Sequence, residues 1–287
     1  MNETTIRRAA VLGSPVAHSL SPVLHGAAYR ALGLSDWRYD RVECDAETLP
    51  ALVADLGPEW VGLSVTMPGK RAALAMADVV TDRAEAVGAA NTLVPLPDGG
   101  WRADCTDVEG ITGALRVAAG YRPDPADTAL VLGAGGTAAA AMVALADLGV
   151  TSVRLAVRSA ARAAETLAAA ERSGVSVQIV GLSEPELAAA AASSAVLIST
   201  VPAGVADSLA DTLAAAPCVL DAVYHPWPTP LAEAVAAADG RMATGLDMLL
   251  HQAFGQVELF TGRPAPRRDM RDALSAATGG AVPLPLS

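Results

Sequence analysis

A short apolar run, a glycine-rich turn and an alanine-rich stretch follow one another without a break near the middle of the chain. The run Thr128 to Leu132 favours a buried strand, and Ala139 to Leu148 favours a helix. Between such elements, Gly133 allows a tight turn, Gly135 lets the backbone approach a pyrophosphate, and Ala138 permits close packing of the helix on the strand. The sequence therefore predicts a dinucleotide-binding turn. Its residues are Gly133, Ala134, Gly135, Gly136 and Thr137.

The segment after the next predicted strand indicates the type of dinucleotide. Val153 to Val157 is the strand whose end would meet the adenosine ribose, where an NAD site usually carries an acidic residue. This chain has Arg158, Ser159 and Arg162 there, with no carboxylate among them. The alternative is that the arginines only cap and solvate a helix start, but cations at that end oppose the helix dipole. A bound 2′-phosphate would remove this conflict, so the sequence predicts NADP as the cofactor.

Strands and helices continue to alternate beyond this segment. The alternation predicts a doubly wound α/β domain with right-handed crossovers. The further predicted elements are a helix over Ala160–Ser173, a strand near Val175–Val180, a helix around Glu184–Ala192, a strand over Ala195–Thr200, a helix after Gly204 and a strand over Cys218–Asp221.

The acidic composition excludes several classes of partner. A formal net charge of −11 over 287 residues gives no basic field for nucleic acid or anionic lipid, so an anionic ligand needs a local cluster of donors. The alanine-rich stretches Ala138 to Ala146 and Ala188 to Ala192 are too short to span a membrane, and Met1 to Ala10 lacks a secretory signal. We therefore expect a cytoplasmic monomer or homodimer with a small-molecule substrate and no nucleic-acid or membrane partner.

The cysteines and histidines show no disulfide or metal pattern. The cysteines are odd in number, widely spaced and free of any C-x-x-C motif, so we expect reduced packing residues. The four histidines have none of the spacings that are typical of zinc sites, and the sequence predicts no metal. The three cysteines are Cys44, Cys105 and Cys218.

One lysine stands among twenty basic residues. Lys70 ends the run Ser64 to Lys70, which we interpret as loop-like, and all the other basic residues are arginines. An arginine stays charged at any working pH, whereas burial can lower the pKa of a lysine until it exchanges protons with a substrate. The alternative is that the single lysine has no special role and is present by chance in a composition that favours arginine. The residues around Lys70 favour a catalytic role.

A candidate site for an anion lies near the start of the chain. Ala9 to Leu12 predicts a strand, and Ser19, Ser21 and Pro22 predict the start of a helix, because proline suits the first helical turn. Two hydroxyls and free amides at such a start can hold a carboxylate. Ordinary N-capping by one serine is the alternative.

Eight motifs in a fixed order relate the chain to a known family. The likeness runs from about Val11 to Gly262, and jointly the motifs are far more specific than any one of them. They are G-x-P-x-x-H-S-x-S-P at Gly13 to Pro22, V-T-x-P-x-K at Val65 to Lys70, G-A-x-N-T at Gly88 to Thr92, T-D-x-x-G at Thr106 to Gly110, the glycine turn at Gly133, R-S-x-x-R at Arg158 to Arg162, D-x-x-Y-x-P-x-x-T-P-L at Asp221 to Leu231, and G-x-x-M-L-x-x-Q at Gly245 to Gln252. On these motifs the chain resembles the shikimate dehydrogenases.

The resemblance implies a reaction and a role for each matching residue. The reaction is the NADP-dependent, reversible reduction of 3-dehydroshikimate to shikimate in chorismate and aromatic amino-acid biosynthesis. Lys70 and Asp107 would be the proton-handling pair, and Ser19 and Ser21 would hold the substrate carboxylate. The other implied substrate contacts are Ser64, Thr66, Asn91, Tyr224 and Gln252. Besides the glycine turn and the arginine segment, the implied cofactor contacts are Asp82, Ala222 and Gly245.

Four positions depart from the family's commonest residue, which is asparagine in each case. They are Gly26, Ser64, Cys105 and Val157. Ser64 matters most, because a shorter side chain at a substrate-facing position can change a hydroxyl contact or admit a water. None of the four belongs to the proton-handling pair.

The order of the motifs predicts the domain organisation. Residues 1–107 would form an α/β substrate domain, residues 108–244 a Rossmann-like, doubly wound NADP-binding domain, and residues 245–287 a C-terminal segment whose helices return to the first domain. The active site would lie in the cleft between the domains. Two alternatives are a quinate/shikimate dehydrogenase of broader specificity and a non-catalytic NADP-binding regulator of the same fold. The regulator should lack the lysine and the aspartate, and this chain has both.

Overall fold

The computed structural model describes residues 6–286, which form two compact units. The first unit consists of residues 6–106 and 252–283, and the second of residues 107–251 and 284–286. The beginning of the segment Met1 to Ala10, in which no signal was predicted, lies outside the described residues. Each unit has its own six-stranded sheet and its own core of mainly aliphatic side chains.

The first unit is built on a mixed sheet. Its strands are β1 (Arg7–Gly13), β2 (Trp37–Glu43), β3 (Trp60–Val65), β4 (Val79–Val80), β5 (Thr92–Pro95) and β6 (Trp101–Asp104). They lie in the order β2-β1-β3-β5-β6-β4, with β1 parallel to β2 and β3, and β5 antiparallel to β3 and β6. The first helices are α1 (Ser21–Ala31), α2 (Leu49–Ala54), α3 (Lys70–Met76) and α4 (Asp82–Val87).

Burial explains which strands are central. Ala9, Ala10 and Leu12 of β1 and Leu63 of β3 are fully buried. A strand with both faces covered carries a continuous apolar run, as these two do. By contrast, β2 is an edge strand in which four of seven residues are charged and none is fully buried, as expected where one side of the strand is open.

The second unit is built on a fully parallel sheet. Its strands are β7 (Thr128–Leu132), β8 (Ser152–Ala156), β9 (Ser176–Val180), β10 (Val196–Ser199), β11 (Cys218–Asp221) and β12 (Arg241–Thr244). The helices between them are α5 (Asp107–Gly113), α6 (Gly136–Asp147), α7 (Ala164–Arg172), α8 (Glu184–Ala192), α9 (Ala210–Leu213) and α10 (Pro230–Ala237). A π-helical stretch, Ala114–Ala118, continues α5.

The strand order of this sheet confirms the predicted doubly wound topology. The strands lie in the order β9-β8-β7-β10-β11-β12, so that in order of appearance the sheet runs 3-2-1-4-5-6. That order is typical of dinucleotide-binding sheets, which bind their ligand where the order reverses. Here the reversal falls between β7 and β10. The ends of the two strands meet there: Thr200, which follows β10, donates from its hydroxyl to the carbonyl of Leu132, the last residue of β7, at 2.9 Å.

Two C-terminal helices complete the chain. Helix α11 (Gly245–Thr261) begins in the second unit, and its residues from Gln252 onwards belong to the first. Helix α12 (Arg267–Ala277) packs against α1 within the first unit. The fold class, with C-terminal helices that return to the first unit, is as the sequence predicts.

Three predicted boundaries differ from the structure. The run Ser64 to Lys70 is not a loop throughout, because Ser64 and Val65 belong to β3 and Lys70 starts α3, whose alanines are strong helix formers. The predicted helix over residues 160–173 opens with a 3₁₀ turn, Ala160–Ala163, a common way for a helix to begin. Helix α5 and the second unit begin at Asp107, one residue before the predicted start of the second domain.

Membrane-spanning helices, metal clusters and disulfides were each considered in the sequence, and the described residues bear on all three. Within residues 6–286, no helix combines the length and the apolar character that crossing a bilayer requires. In the same range, no group of three His, Cys, Asp or Glu side chains has an arrangement that could hold a metal ion. All three cysteines are buried free thiols.

Candidate active site

The predicted site residues divide between the two units. Those in the first unit are Ser19, Ser21, Ser64, Thr66, Lys70, Asp82, Asn91 and Gln252. Those in the second unit are Asp107, Gly133, Ala134, Gly135, Gly136, Thr137, Arg158, Ser159, Arg162, Ala222, Tyr224 and Gly245. The residues predicted to bind substrate thus lie mostly in the first unit, and those predicted to bind cofactor mostly in the second.

A pair of serines lies at the start of α1. The Ser19 hydroxyl donates to the Ser21 hydroxyl at 3.3 Å and accepts from the Ser21 amide at the same distance. Helix α1 has proline in its first turn and no side-chain hydrogen bond from its N-cap residue, Leu20. Pro22 has no amide hydrogen, and the amides of Ser21 and Val23 donate to the Ser19 hydroxyl and the Leu20 carbonyl. The two adjacent hydroxyls are therefore the groups that suit a carboxylate here.

A hydrogen-bonded cluster of hydroxyl and amide groups lies nearby in the first unit. The Tyr39 phenol donates to Ser64 at 2.7 Å, and the Ser64 hydroxyl donates to the Gln256 amide oxygen at 2.8 Å. The Gln256 nitrogen donates to the Thr92 hydroxyl at 3.0 Å and to the Asn91 carbonyl at 3.2 Å. Ser64 is buried and Gln256 is only 1% exposed, so these bonds fix the orientation of each group.

Asn91 and Gln252 form the other half of this cluster. The Asn91 side-chain nitrogen donates to the Gln252 amide oxygen at 2.8 Å and to the Thr106 hydroxyl at 3.1 Å. Its side-chain oxygen accepts from the Thr106 amide and from the Thr92 hydroxyl, each at 2.8 Å. Four contacts therefore decide which way the Asn91 amide points, and they place it beside Gln252.

His25 supports the cluster as a neutral ring. It is fully buried, stacks on Tyr39 with the ring centroids 4.0 Å apart, and its Nε2 lies 3.4 Å from the Gln256 amide oxygen. Burial lowers the pKa of His25 to about 3, although the contact with Gln256 opposes the shift. Burial also raises the pKa of the Tyr39 phenol far above its usual value. Both rings are uncharged at neutral pH and act as packing and hydrogen-bonding groups.

Lys70 lies at the end of a tightly held segment. Thr66 donates from its amide to the Leu12 carbonyl at 2.8 Å, and its own carbonyl accepts from Gly69 at 2.9 Å. A Cβ on Gly13 would come within 2.3 Å of the Thr66 methyl group, so the close approach of these strand ends requires glycine. The Lys70 carbonyl accepts from the Ala90 amide at 2.9 Å, and the side chain of Lys70 is half-buried.

An ion pair supports the segment that leads to Asp107. The Arg83 guanidinium donates to both oxygens of Asp104, at 3.0 and 2.9 Å, and the Thr81 hydroxyl donates to the same carboxylate. Asp104 also accepts from the Cys105 amide at 2.7 Å. Asp107 is itself buried and starts α5. Asp82 is exposed in the first turn of α4, as a solvated surface residue would be.

The glycine turn of the second unit has the features that a pyrophosphate needs. Gly133 has φ +105°, and a Cβ there would lie 2.5 Å from the Thr200 hydroxyl, so only glycine fits. A Cβ on Gly135 would meet nothing within 4 Å, which leaves open space beside the backbone. Helix α6 then begins at Gly136 without a side-chain cap and without an acidic residue in its first turn. These features fit a bound dinucleotide phosphate.

The other predicted cofactor residues lie at neighbouring strand ends. Arg158, Ser159 and Arg162 are exposed beyond the end of β8, and the Ser159 carbonyl accepts from the Arg162 amide at 3.1 Å. Gly245 follows β12, and a Cβ there would lie 2.2 Å from the Ala222 carbonyl oxygen and 3.1 Å from the Tyr224 ring. The fold thus brings Ala222, Tyr224 and Gly245 together.

Two family models and a curated relative match this chain. The model of the shikimate dehydrogenase substrate binding domain matches residues 11–93, and that of the shikimate 5′-dehydrogenase C-terminal domain matches residues 245–274. The shikimate dehydrogenase (NADP(+)) of Methylobacterium radiotolerans is 38% identical over 282 residues, which cover 95% of this chain and 98% of the relative. The chain belongs to the shikimate dehydrogenase family.

Solved structures of shikimate dehydrogenases share the fold. The enzyme of Mycobacterium tuberculosis matches with a TM-score of 0.87 at 57% identity, over 94% of this chain and 99% of that one. The shikimate 5-dehydrogenase of Thermus thermophilus, solved in complex with NADP(H) and shikimate, matches with a TM-score of 0.80 at 33% identity, over 94% and 99%. These likenesses confirm the resemblance that the motifs indicated.

Gln256 and Tyr39 belong to the site but were not predicted from the sequence. Gln256 lies four residues after the predicted Gln252, so both project from the same face of α11, and this spacing is a signal that could have identified it. Tyr39 lies in no motif that we recognised. Its contact with Ser64 arises only when β2 and β3 take their places on either side of β1.

Proposed function

We propose that this chain catalyses the NADP-dependent, reversible reduction of 3-dehydroshikimate to shikimate, a step of aromatic amino-acid biosynthesis. The observation that carries the proposal is the Asn91–Gln252 amide pair, joined at 2.8 Å with Asn91 buried and Gln252 partly exposed, in a member of the shikimate dehydrogenase family. The Thermus thermophilus relative, whose structure holds both shikimate and NADP(H), supports the choice of substrate and cofactor.

A direct assay tests this function. We expect the absorbance of NADPH to fall when 3-dehydroshikimate is added, and NADP to be reduced when shikimate is added. Quinate in a parallel reaction tests the broader specificity. Absence of turnover with all three compounds, while NADPH still binds, would favour the non-catalytic regulator instead.

We assign the proton transfer at the reacting oxygen to Lys70. When bound, the nicotinamide of NADPH supplies the hydride that converts the carbonyl carbon into an alcohol carbon. Negative charge then develops on the oxygen, where the Lys70 ammonium stabilises it and donates a proton. Asp107 is assigned to orient that ammonium and to favour its charged form. In the reverse direction the same lysine, deprotonated, accepts the proton of the alcohol.

The cluster in the first unit supports recognition of the ring hydroxyls. Asn91 and Gln252 are assigned to bind them directly, together with Thr66 and Tyr224, and Asn91 would exchange one of its four contacts for the substrate hydroxyl. The Ser64 hydroxyl donates to Gln256 and accepts from Tyr39, so it retains acceptor capacity only. We therefore assign Ser64 the role of accepting a hydrogen bond from a substrate hydroxyl. An asparagine amide at this position could both donate and accept.

The second unit is assigned to hold NADP. The open space at Gly135 and the uncapped start of α6 suit the pyrophosphate, and the segment from Arg158 to Arg162 suits the 2′-phosphate. Ala222, Gly245 and the exposed Asp82 are assigned to the remaining parts of the cofactor on the strength of the motif match alone.

Substituting Arg158 by alanine should weaken binding of NADPH and leave binding of NADH almost unchanged. A charge-assisted contact with phosphate contributes roughly 1.5 to 3 kcal/mol, which corresponds to a rise in the NADPH dissociation constant of about 10- to 100-fold. Fluorescence titration with both cofactors measures the change. Arg154→Ala is the matched control, because it removes an arginine from β8 itself whose guanidinium bonds to Ser194 and is not assigned to the cofactor. Equal losses for both cofactors in Arg158→Ala would contradict the assignment.

The serine pair should make the enzyme prefer shikimate to quinate. Quinate carries an extra hydroxyl on the carbon that bears the carboxylate, where Ser19 and Ser21 close in. An unpartnered hydroxyl costs roughly 1 to 3 kcal/mol, so we expect about 10- to 100-fold discrimination in kcat/KM. Equal kcat/KM values for the two acids would refute the selectivity. A Ser19→Ala, Ser21→Ala double variant with an unchanged KM for shikimate would refute the assignment of the carboxylate site.

We place the protein in the cytoplasm as a monomer or homodimer. Three buried cysteines, all free, suit a reducing compartment. Sedimentation equilibrium with and without NADP distinguishes the two assemblies.

A further inference from the structure

Three side chains on one face of β2 hold the segment that carries the serine pair. Tyr39, Arg41 and Glu43 are spaced by two residues and therefore project from the same side of the strand. The Glu43 carboxylate accepts from the Val16 amide at 3.2 Å, and the Ser21 hydroxyl interacts with the Tyr39 phenol. An edge strand with charged residues thus supports the loop before α1.

Arg41 makes the strongest of these contacts. Its Nε and Nη2 atoms donate to the carbonyl oxygen of Ser19, at 2.9 and 2.6 Å. A guanidinium has five N–H donors, so this pair of bonds leaves three for other partners. Among the described residues no carboxylate forms an ion pair with Arg41. The adjacent Asp40 lies on the opposite face of the strand and pairs with Arg8.

The charge of Arg41 lies where an anionic substrate needs it. The chain carries a net charge of −11, and the hydroxyls of Ser19 and Ser21 are neutral donors. Glu43, two positions further along the same face, carries the opposite charge but contacts Val16, whereas Arg41 contacts Ser19 itself. The guanidinium thus places a positive charge beside Ser19, which favours a carboxylate there even though Arg41 is exposed and solvent screens part of its field.

We propose that Arg41 is a positioning and specificity residue for the carboxylate end of the substrate, both by fixing Ser19 and by supplying the positive charge that selects an anion. The proposal rests on the proposed function, because it assumes a carboxylate at Ser19 and Ser21. It assigns to Arg41 a role in KM rather than in the chemical step.

Three variants and two ligands test both parts of this role. Arg41→Gln retains a donor for the Ser19 carbonyl but removes the charge. We expect it to raise the KM for shikimate about 10-fold and to change kcat by less than about threefold, since the reacting oxygen is served by other groups. Arg41→Lys keeps the charge without the planar fork and should stay within about threefold of the original KM.

The methyl ester of shikimate separates charge from structure. As a competitive ligand it presents the same ring without the negative charge, so Arg41→Gln should change its inhibition constant by less than about twofold. Raising the salt concentration should raise the KM for shikimate in the original enzyme and have little effect in Arg41→Gln. Arg38→Gln is the control, because Arg38 is on the opposite face of β2 and donates to the carbonyls of Ser35 and Trp37.

The outcomes are distinct. Equal losses for shikimate and its ester in Arg41→Gln would mean a structural clamp without selection of charge, and would overturn the proposal. So would an unchanged KM, or an Arg41→Lys variant as impaired as Arg41→Gln. If the original enzyme turns over neither shikimate nor 3-dehydroshikimate, the proposed function fails first, and the role of Arg41 falls with it.

Discussion

Replacing Lys70 by arginine should lower kcat by about 10²-fold or more while the fold and the binding of NADPH stay intact. General acid–base catalysis by a positioned group contributes roughly 10²- to 10⁴-fold, and an arginine does not give up its proton at any working pH. The backbone of Lys70 is held by the hydrogen bond from Ala90 to its carbonyl, which the substitution leaves in place. The loss of kcat should therefore come from the changed side chain and not from a displaced backbone.

A neighbouring position supplies the control. Arg71 follows Lys70 in α3 and is exposed, so Arg71→Lys makes the reverse exchange one residue away. We expect its kcat to stay within about twofold of the original value. Steady-state kinetics with shikimate and NADP, together with fluorescence titration of NADPH, measure both effects. A Lys70→Arg enzyme with near-normal kcat would show that the proton is handled elsewhere.

Local patterns were sufficient to predict the second unit as far as β11, but α10 and β12 were not predicted. The strands Thr128–Leu132 and Cys218–Asp221 and the helix Glu184–Ala192 have the predicted bounds, because each is a short apolar or alanine-rich run between turn residues. The glycine turn was predictable for the same reason, since its geometry depends on neighbours in sequence. Helix starts were less certain, as the 3₁₀ turn before α7 illustrates.

The contacts of the first unit could not be predicted from local patterns. Ser64 and Gln256 are hydrogen-bonded although 192 positions separate them in the chain. Ser64 stood out only as a departure from the family's usual asparagine, and that comparison gave no sign that Tyr39 would bond to it. Arg41 is one of nineteen arginines, and only the parallel pairing of β2 with β1 shows that it reaches Ser19. Such partners depend on tertiary pairing, which one sequence does not reveal.

Gly135→Val should reduce the affinity for NADPH by about 10²-fold with little loss of stability. Gly135 has extended backbone angles, φ −94° and ψ −172°, which valine adopts without strain, and a Cβ there meets no protein atom within 4 Å. The cost of a poor N-cap for α6 should be about 1 kcal/mol. The added methyl groups instead occupy the space in which the pyrophosphate approaches the backbone, and they block the amides at the helix start.

Two other glycines make the result specific to the cofactor. Gly133→Ala should lose stability as well as binding, because φ is +105° and the new Cβ would lie 2.5 Å from the Thr200 hydroxyl. Gly26→Ala, inside α1, should bind NADPH normally and gain roughly 0.5 to 1 kcal/mol in the free energy of unfolding. Thermal unfolding and NADPH titration of the three variants distinguish these effects. If Gly135→Val binds NADPH as tightly as the original enzyme, the pyrophosphate does not lie over this turn, and the assignment of the second unit's glycines to the cofactor is wrong.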